Sequence, residues 1–167
     1  MSDHFVIGVD SSTTSCKAIA WDRHGQPLAE GRAAFQLSSP QLGWYEQDAE
    51  QWWEGLVHAL RDLGAQLDLS RAAAICLTHQ RETFTLVDRD GRPIRKAITW
   101  MDERSRPQLV DIERSLGKEA FHRITGKPLS IAVSMTKMLW LKQHEPEVLR
   151  RAHKVMEVHS FLVHRLT

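Results

Sequence analysis

The sequence predicts an α/β domain built on a mixed β-sheet, and three observations predict it. Two apolar runs near the start, Phe5-Val6-Ile7-Gly8-Val9 and Cys16 to Trp21, flank a group of small hydroxyl residues, and a third extended stretch follows over residues 28–37. Strands joined by turns this short form an antiparallel meander. The continuous apolar run Ala72-Ala73-Ala74-Ile75-Cys76-Leu77 reads as a strand buried on both faces, as strands with parallel neighbours are, with a helix end as the alternative. Beyond it, strand-like and helix-like segments alternate, which is the order of an α/β chain.

Each element has its own signal. The first turn is Ser11-Ser12-Thr13-Thr14-Ser15 and the second is His24-Gly25-Gln26-Pro27. After a loop with Pro40 and Gly43, Asp48 and Gln51 form the pattern of a capping box. Trp52, Trp53, Leu56, Val57, Leu60 and Leu63 then recur at helical spacing up to Gly64. Residues 83–87 read as a strand closed by Asp88-Arg89-Asp90-Gly91-Arg92-Pro93, and residues 97–100 as a shorter one. Leu109, Ile112 and Leu116 mark a helix that stops at Gly117. Met135, Met138, Leu139 and Leu141 mark another, ending at Glu145-Pro146. Residues 155–158 read as a last strand and residues 160–166 as the start of a helix. No internal repeat is apparent. The sequence stops after an apolar stretch at Arg165-Leu166-Thr167 without a cap or polar tail, which reads as a cut.

The 167 residues have about the length of one domain and can bury a core. Lys and Arg number 22 against 21 acids, a net charge of +1 with no basic or acidic block. That balance argues against a nucleic-acid or membrane-surface partner. The apolar stretch before Asp10 is too short for a secretory signal, and no run is long enough to span a bilayer. Cys16 and Cys76 sit in apolar strand-like segments, so two buried thiols in a reducing cytoplasm are expected. The nine histidines lack a metal-ligand spacing; His159 and His164, five apart, do not share a helix face.

Two stretches carry chemistry. Asp10 closes the first apolar run beside five small hydroxyl residues. Asp is a hard oxygen ligand, and backbone N–H and hydroxyl groups can hold phosphate oxygens without steric bulk, so this turn suits a phosphate and its magnesium. An ordinary Asp/Ser-rich turn is the alternative. Arg81 and Glu82 follow the buried strand directly, at the carboxyl end where open α/β sheets place ligands. Their donors and bidentate acceptor suit vicinal hydroxyls, although a surface ion pair would look the same. Trp100 also follows a strand end; an indole can pack on the C–H face of a sugar, or simply belong to the core. Trp44 or Tyr45 is expected to staple the helix that starts at Asp48, and Lys137 to be a solvated lysine at a helix start, where a phosphate could also be drawn.

Taken together, these segments resemble the FGGY family of carbohydrate kinases, which share the actin/hexokinase-type, ribonuclease H-like fold. The resemblance covers essentially the whole chain. It is carried by Ile7-Gly8-Val9-Asp10 through Lys17, Gly43-Trp44 through Trp53, Gln80-Arg81-Glu82-Thr83, Ala97-Ile98-Thr99-Trp100-Met101-Asp102-Glu103-Arg104, Thr125-Gly126, Ser134-Met135-Thr136-Lys137 and Arg165-Leu166-Thr167. Each segment is weak alone; their order and spacing make the signal. The resemblance implies ATP and Mg²⁺, with Asp10 near the metal and the γ-phosphate, and Thr13, Thr14 and Lys17 in the phosphate-binding turn. It puts Arg81, Glu82 and Trp100 where glycerol kinases bind the polyol. It also implies that residues 1–167 are an N-terminal kinase domain, incomplete at its C-terminal end and inactive alone. The catalytic base would lie beyond Thr167 and the adenine site in a second domain.

The chain departs from the family pattern in places. Ser12 stands where many members have Gly, and Ala132 where glycerol kinases have the pocket tyrosine. The stretch from Met138-Leu139-Trp140 to Pro146-Glu147 looks more like xylulokinases, which instead carry Gln-Met-His-Gly at residues 80–83. The expected function is ATP-dependent phosphorylation of a small sugar or polyol hydroxyl in the cytoplasm, xylulokinase-like first and glycerol kinase-like second. Homodimerisation of the full-length protein is left open. A non-catalytic sugar-binding module on the same fold is a third reading. An actin-like assembly protein is disfavoured, because filament contacts need no polyol-shaped pocket.

Overall fold

Along Phe5–Ser11 (β1), Phe5, Ile7 and Val9 are buried while Val6 and Asp10 face outward, the alternation of a strand covered on one side. Ser15–Trp21 (β2) buries Cys16, Ala18 and Ala20 in the same way, and Pro27–Ala34 (β3) completes the meander. The computed structural model describes residues 4–167. These form two compact units, the first comprising residues 4–37, Asp48–Gln80 and Val158–Thr167, the second Ser38–Gln47 and Arg81–Glu157.

The first unit holds a mixed sheet in the order β3-β2-β1-β5, with Ala72–His79 (β5) parallel to β1 and the other pairs antiparallel. Glu50–Gly64 (α1) lies across β2 and β3 and buries Trp52, Leu56, Ala59 and Leu63. Each large apolar side chain so buried contributes about 1.5–3 kcal/mol. The approach is backbone to backbone: a Cβ on Gly31 of β3 would stand 2.0 Å from the Ala59 carbonyl oxygen, so only glycine fits. Val158–Leu166 (α6) adds Phe161, whose ring meets Trp52 edge-on at 5.8 Å.

The second unit holds an antiparallel sheet in the order β4-β7-β6-β8, formed by Glu46–Gln47 (β4), Phe84–Val87 (β6), Ala97–Ile98 (β7) and Lys154–Glu157 (β8). Its core joins Phe84, Leu86 and Ile98 to Trp140 and Leu141 of Ser134–His144 (α4). Arg106–Leu116 (α2) and Lys118–Thr125 (α3) contribute Ile112 and Phe121 to a smaller cluster with Val133. Pro146–Arg151 (α5) follows α4.

Several expectations are corrected. β5 is not buried on both faces: it is the last strand of its sheet, Ile75 is 41 % exposed, and Cys76 is an exposed thiol while Cys16 is buried. The capping box does not form; the Gln51 side chain instead accepts from the Gln36 amide at 3.0 Å, and Asp48 Oδ1 accepts from Glu50 N. Trp44 packs on Trp140 of α4, ring centroids 5.3 Å apart. Met135 faces out of α4. β4, α3 and α5 went unforeseen; Pro146, read as a stop, opens α5 from its first turn, where proline is favoured.

Asp22-Arg23-His24-Gly25-Gln26-Pro27 and Asp88-Arg89-Asp90-Gly91-Arg92-Pro93 share one geometry. In each, the aspartate Oδ1 accepts from the amides two and four residues on (2.7 and 2.8 Å; 2.9 and 2.9 Å). The glycine is left-handed in both, φ 76° and 74°. The residue before Asp pairs with the proline in both, Trp21 with Pro27 and Val87 with Pro93.

Candidate functional site

In the first unit, Asp10 lies beside Lys17 of β2 and Thr78 of β5 in strand register. The turn after it is closed by Ser12 N donating to Ser15 O at 2.9 Å. Ser12 Oγ donates to Asp10 Oδ2 at 2.6 Å, which orients a carboxylate that otherwise stands exposed. Thr14 is exposed at the tip and accepts from Phe35 N through its carbonyl; Thr13 is half-buried. Lys17 does not reach into the turn: its ammonium pairs with Glu30 Oε2 at 3.1 Å. That bond, with Arg32 on the other oxygen, holds the Glu30 carboxyl below the usual range. A shallow cavity of about 210 Å³ opens on this face between Asp10, Lys17, Ile19, Trp21, Cys76 and Thr78.

These residues fit magnesium held between phosphates. Among the described residues no three His, Cys, Asp or Glu side chains converge to form a metal cage. Magnesium in phosphoryl-transfer sites asks for less than a cage: one or two carboxylates, with phosphate oxygens and water completing the shell. Asp10 is a single exposed carboxylate oriented by one hydroxyl, beside a turn of hydroxyls and free of bulky side chains.

In the second unit, Arg81 and Glu82 form the turn before β6, with Arg81 exposed. Glu82 has φ 60°, the one non-glycine residue with positive φ among the described residues. Holding a side chain there costs about 1–3 kcal/mol, so the surroundings must over-determine it. They do. Ser134, the first residue of α4, donates both its N–H and its Oγ–H to Glu82 Oε2 at 2.7 Å, and Lys127 Nζ binds Oε1. Burial alone would push the Glu82 carboxyl up, but Lys127 and Ser134 together bring it below the usual range. The next residue, Thr83, is buried and accepts the Trp100 amide on Oγ1 at 3.0 Å, which ties Trp100, 41 % exposed, to the same turn.

The loop after Trp100 is fixed from beneath by charges that the sequence did not single out. Buried Arg104 binds Asp102 in bidentate fashion (Nε–Oδ1 2.9 Å, Nη2–Oδ2 2.8 Å) and Glu46 at 2.8 Å. Its guanidinium lies 3.8 Å from the Trp44 ring centroid, and Asp102 Oδ2 also accepts from Tyr45 N at 2.7 Å. Arg95 extends the chain of charges from Glu46 to Glu145. Such paired, hydrogen-bonded charges add geometry more than net stability. Lys137 is corrected too: it is fully buried, not solvated, and donates to the carbonyls of Ile131 and Ala132. Ser134, Lys127 and Lys137 complete the surroundings of Glu82 from positions about fifty residues away in sequence; Ser134 and Lys137 lie in a segment that carries the resemblance, but no local pattern ties them to Glu82.

Residues 5–167 match the model of the FGGY family of carbohydrate kinases, N-terminal domain. A xylulose kinase of Streptomyces rubiginosus is 37 % identical over 97 % of this chain and 33 % of its own length. A glycerol kinase of Brucella ovis is 34 % identical over 98 % of this chain and 34 % of its own length. Among solved structures, a xylulose kinase from Rhodospirillum rubrum superposes with a TM-score of 0.90 at 28 % identity, over 96 % of this chain and 33 % of that one. Fold and sequence thus define the N-terminal domain of a carbohydrate kinase. The chain belongs to the FGGY family. It spans about a third of the length of the curated relatives it matches.

Proposed function

We propose that the full-length protein carrying this chain transfers the γ-phosphoryl group of ATP to a hydroxyl of a small sugar or polyol, with a ketopentose such as xylulose as the first candidate. The carrying observation is Glu82: a carboxylate locked in a strained turn by α4, next to Arg81 and tied through Thr83 to Trp100. A group held this rigidly can select an acceptor by its hydroxyl geometry, because an analogue lacking a hydroxyl leaves buried partners unpaired. Strain of this kind gathers at binding sites.

Asp10 would hold magnesium, which supplies charge neutralisation across the phosphates, while the amides and hydroxyls of Thr13 and Thr14 orient phosphate oxygens. Lys17, paired with Glu30 here, would bring a cation to the edge of that turn. The chemistry is then mostly positioning and electrostatics, with the catalytic base supplied by sequence after Thr167. A cytoplasmic location is part of this reading. Glycerol is the second candidate, favoured by Arg81-Glu82-Thr83 and by the glycerol kinases among the relatives. Against it stands Ala132, whose methyl leaves room for a longer acceptor than a tyrosine would.

The test is a coupled ADP-release assay on the full-length protein with D-xylulose and glycerol. Turnover on D-xylulose with the higher kcat/KM is expected. Glycerol as the better acceptor would move the reading to a polyol kinase, and no ADP release with any pentose or polyol would leave a sugar-binding module.

A further inference from the structure

Lys137 is among the largest side chains with no exposure to solvent. Its ammonium donates to two main-chain carbonyls, Ile131 O at 2.8 Å and Ala132 O at 2.9 Å. It sits in the first turn of α4, at the helix end where the dipole disfavours a cation, so both burial and the dipole oppose its charge. A methionine would fill the same space at neither cost. What the charge secures is local: the carbonyls belong to the segment that leads into α4, and Ser134, three residues earlier on the same helix face, is the residue that clamps Glu82. Ser105 Oγ and Thr136 Oγ1, 2.8 Å apart and buried, pin the same turn.

The geometry points to Lys137 as a positioning residue for the acceptor site, fixing the Ile131 and Ala132 carbonyls and, through one helical turn, the Ser134 clamp on Glu82. This rests on the reading of Glu82 as an acceptor-binding group. The charged groups around Lys137 are Asp102, Glu82 and Arg104. Burial pulls the ammonium down to about 8, against the upward pull of the two carboxylates, and Arg104 adds to the downward push. The protonated form makes the stronger, charge-assisted bonds to the two carbonyls. It prevails below that pH and is lost as pH rises through it.

The experiment uses the full-length protein, with D-xylulose and glycerol as probes. Lys137→Met is expected to raise the acceptor KM roughly tenfold to a hundredfold, the cost of a small misplacement, with KM for ATP within about twofold. Glu82→Gln is the control for the underlying reading. If it leaves acceptor binding unchanged, that reading fails; if it weakens binding and Lys137→Met does not, only the role of Lys137 fails. Two measurements need neither catalysis nor a well-behaved variant in isolation. Wild-type acceptor Kd should weaken severalfold between about pH 7 and 9, with a flat profile in Lys137→Met; a flat wild-type profile overturns the proposal. Amide exchange at residues 133–136 should quicken in Lys137→Met relative to wild type at the same pH, while α1 stays protected. Unchanged exchange there overturns the proposal whichever acceptor is bound.

Discussion

Asp10 and Glu82 are both carboxylates at chain reversals, and the molecule treats them in opposite ways. Asp10 stands in the open at the end of β1, held by one hydroxyl, on a backbone without strain. Glu82 is held by an ammonium, a hydroxyl and a main-chain amide, on a backbone that only a firm clamp sustains. On the function proposed above, the difference separates two kinds of recognition. A group that will meet a cation with its own water and phosphate shell gains from remaining solvated and available. A group that must distinguish one hydroxyl pattern from another gains from being immobile before the ligand arrives.

If that division is right, substitutions at the two positions should fail differently. Asp10→Asn in the full-length enzyme should lower kcat about a hundredfold or more while the acceptor KM stays within about twofold, measured by ADP release. Loss of sugar binding with kcat preserved would move Asp10 into the acceptor pocket and dissolve the contrast. Glu82→Gln should do the reverse, raising acceptor KM about tenfold, and should also cost about 1.5–3 kcal/mol in urea unfolding, because it removes the charge that Ser134 and Lys127 satisfy. Asp10→Asn should leave the urea midpoint nearly in place.

Ala132→Tyr sharpens the acceptor side alone. It should shift kcat/KM toward glycerol over D-xylulose by about tenfold, the scale on which filling or opening a pocket discriminates, in a two-substrate comparison. The smallest effects concern the rim of the clamp. Lys127 is 51 % exposed, so Lys127→Met should cost less than about 1 kcal/mol, and less still in high salt. The Glu82 carboxyl lies below its ordinary range when folded, so its contribution is complete above about pH 4.5 and is lost as pH falls through the lower folded value. A urea midpoint that falls below pH 4.5 in wild type, and falls less in Glu82→Gln, is the expected signature.

Period and turn chemistry made the meander, α1 and α4 legible, since Trp52, Leu56, Leu63 and Leu141 recur as an apolar face must. Asp10 and the Arg81-Glu82 turn were legible as strand-end polar residues beside small or exposed neighbours. The exposure of β5 was not. An apolar run reports what a strand is suited to bury, and pairing along one edge does not cover it. Lys137 was misread for a related reason: a lysine near a helix start is solvated by default, and only the fold reveals two carbonyls waiting for it. Trp44 could have packed in either direction along the chain, and the distant Arg104 and Trp140 decided the matter. The α3 helix, with one buried residue in Phe121, offers too little periodicity to be seen.

The twin turns at residues 22–27 and 88–93 carry a consequence for chain engineering. Each closes on its own aspartate and its own left-handed glycine, with its side-chain bonds inside six residues, so its conformation is portable. The two hexapeptides should be interchangeable: a chimaera with their central residues swapped should unfold within about 0.5 kcal/mol of the parent, as expected for surface changes away from cores and caps. The same modularity marks the two residues between Asp and Gly in either turn as places to substitute a labelled residue while the strands on both sides keep their register.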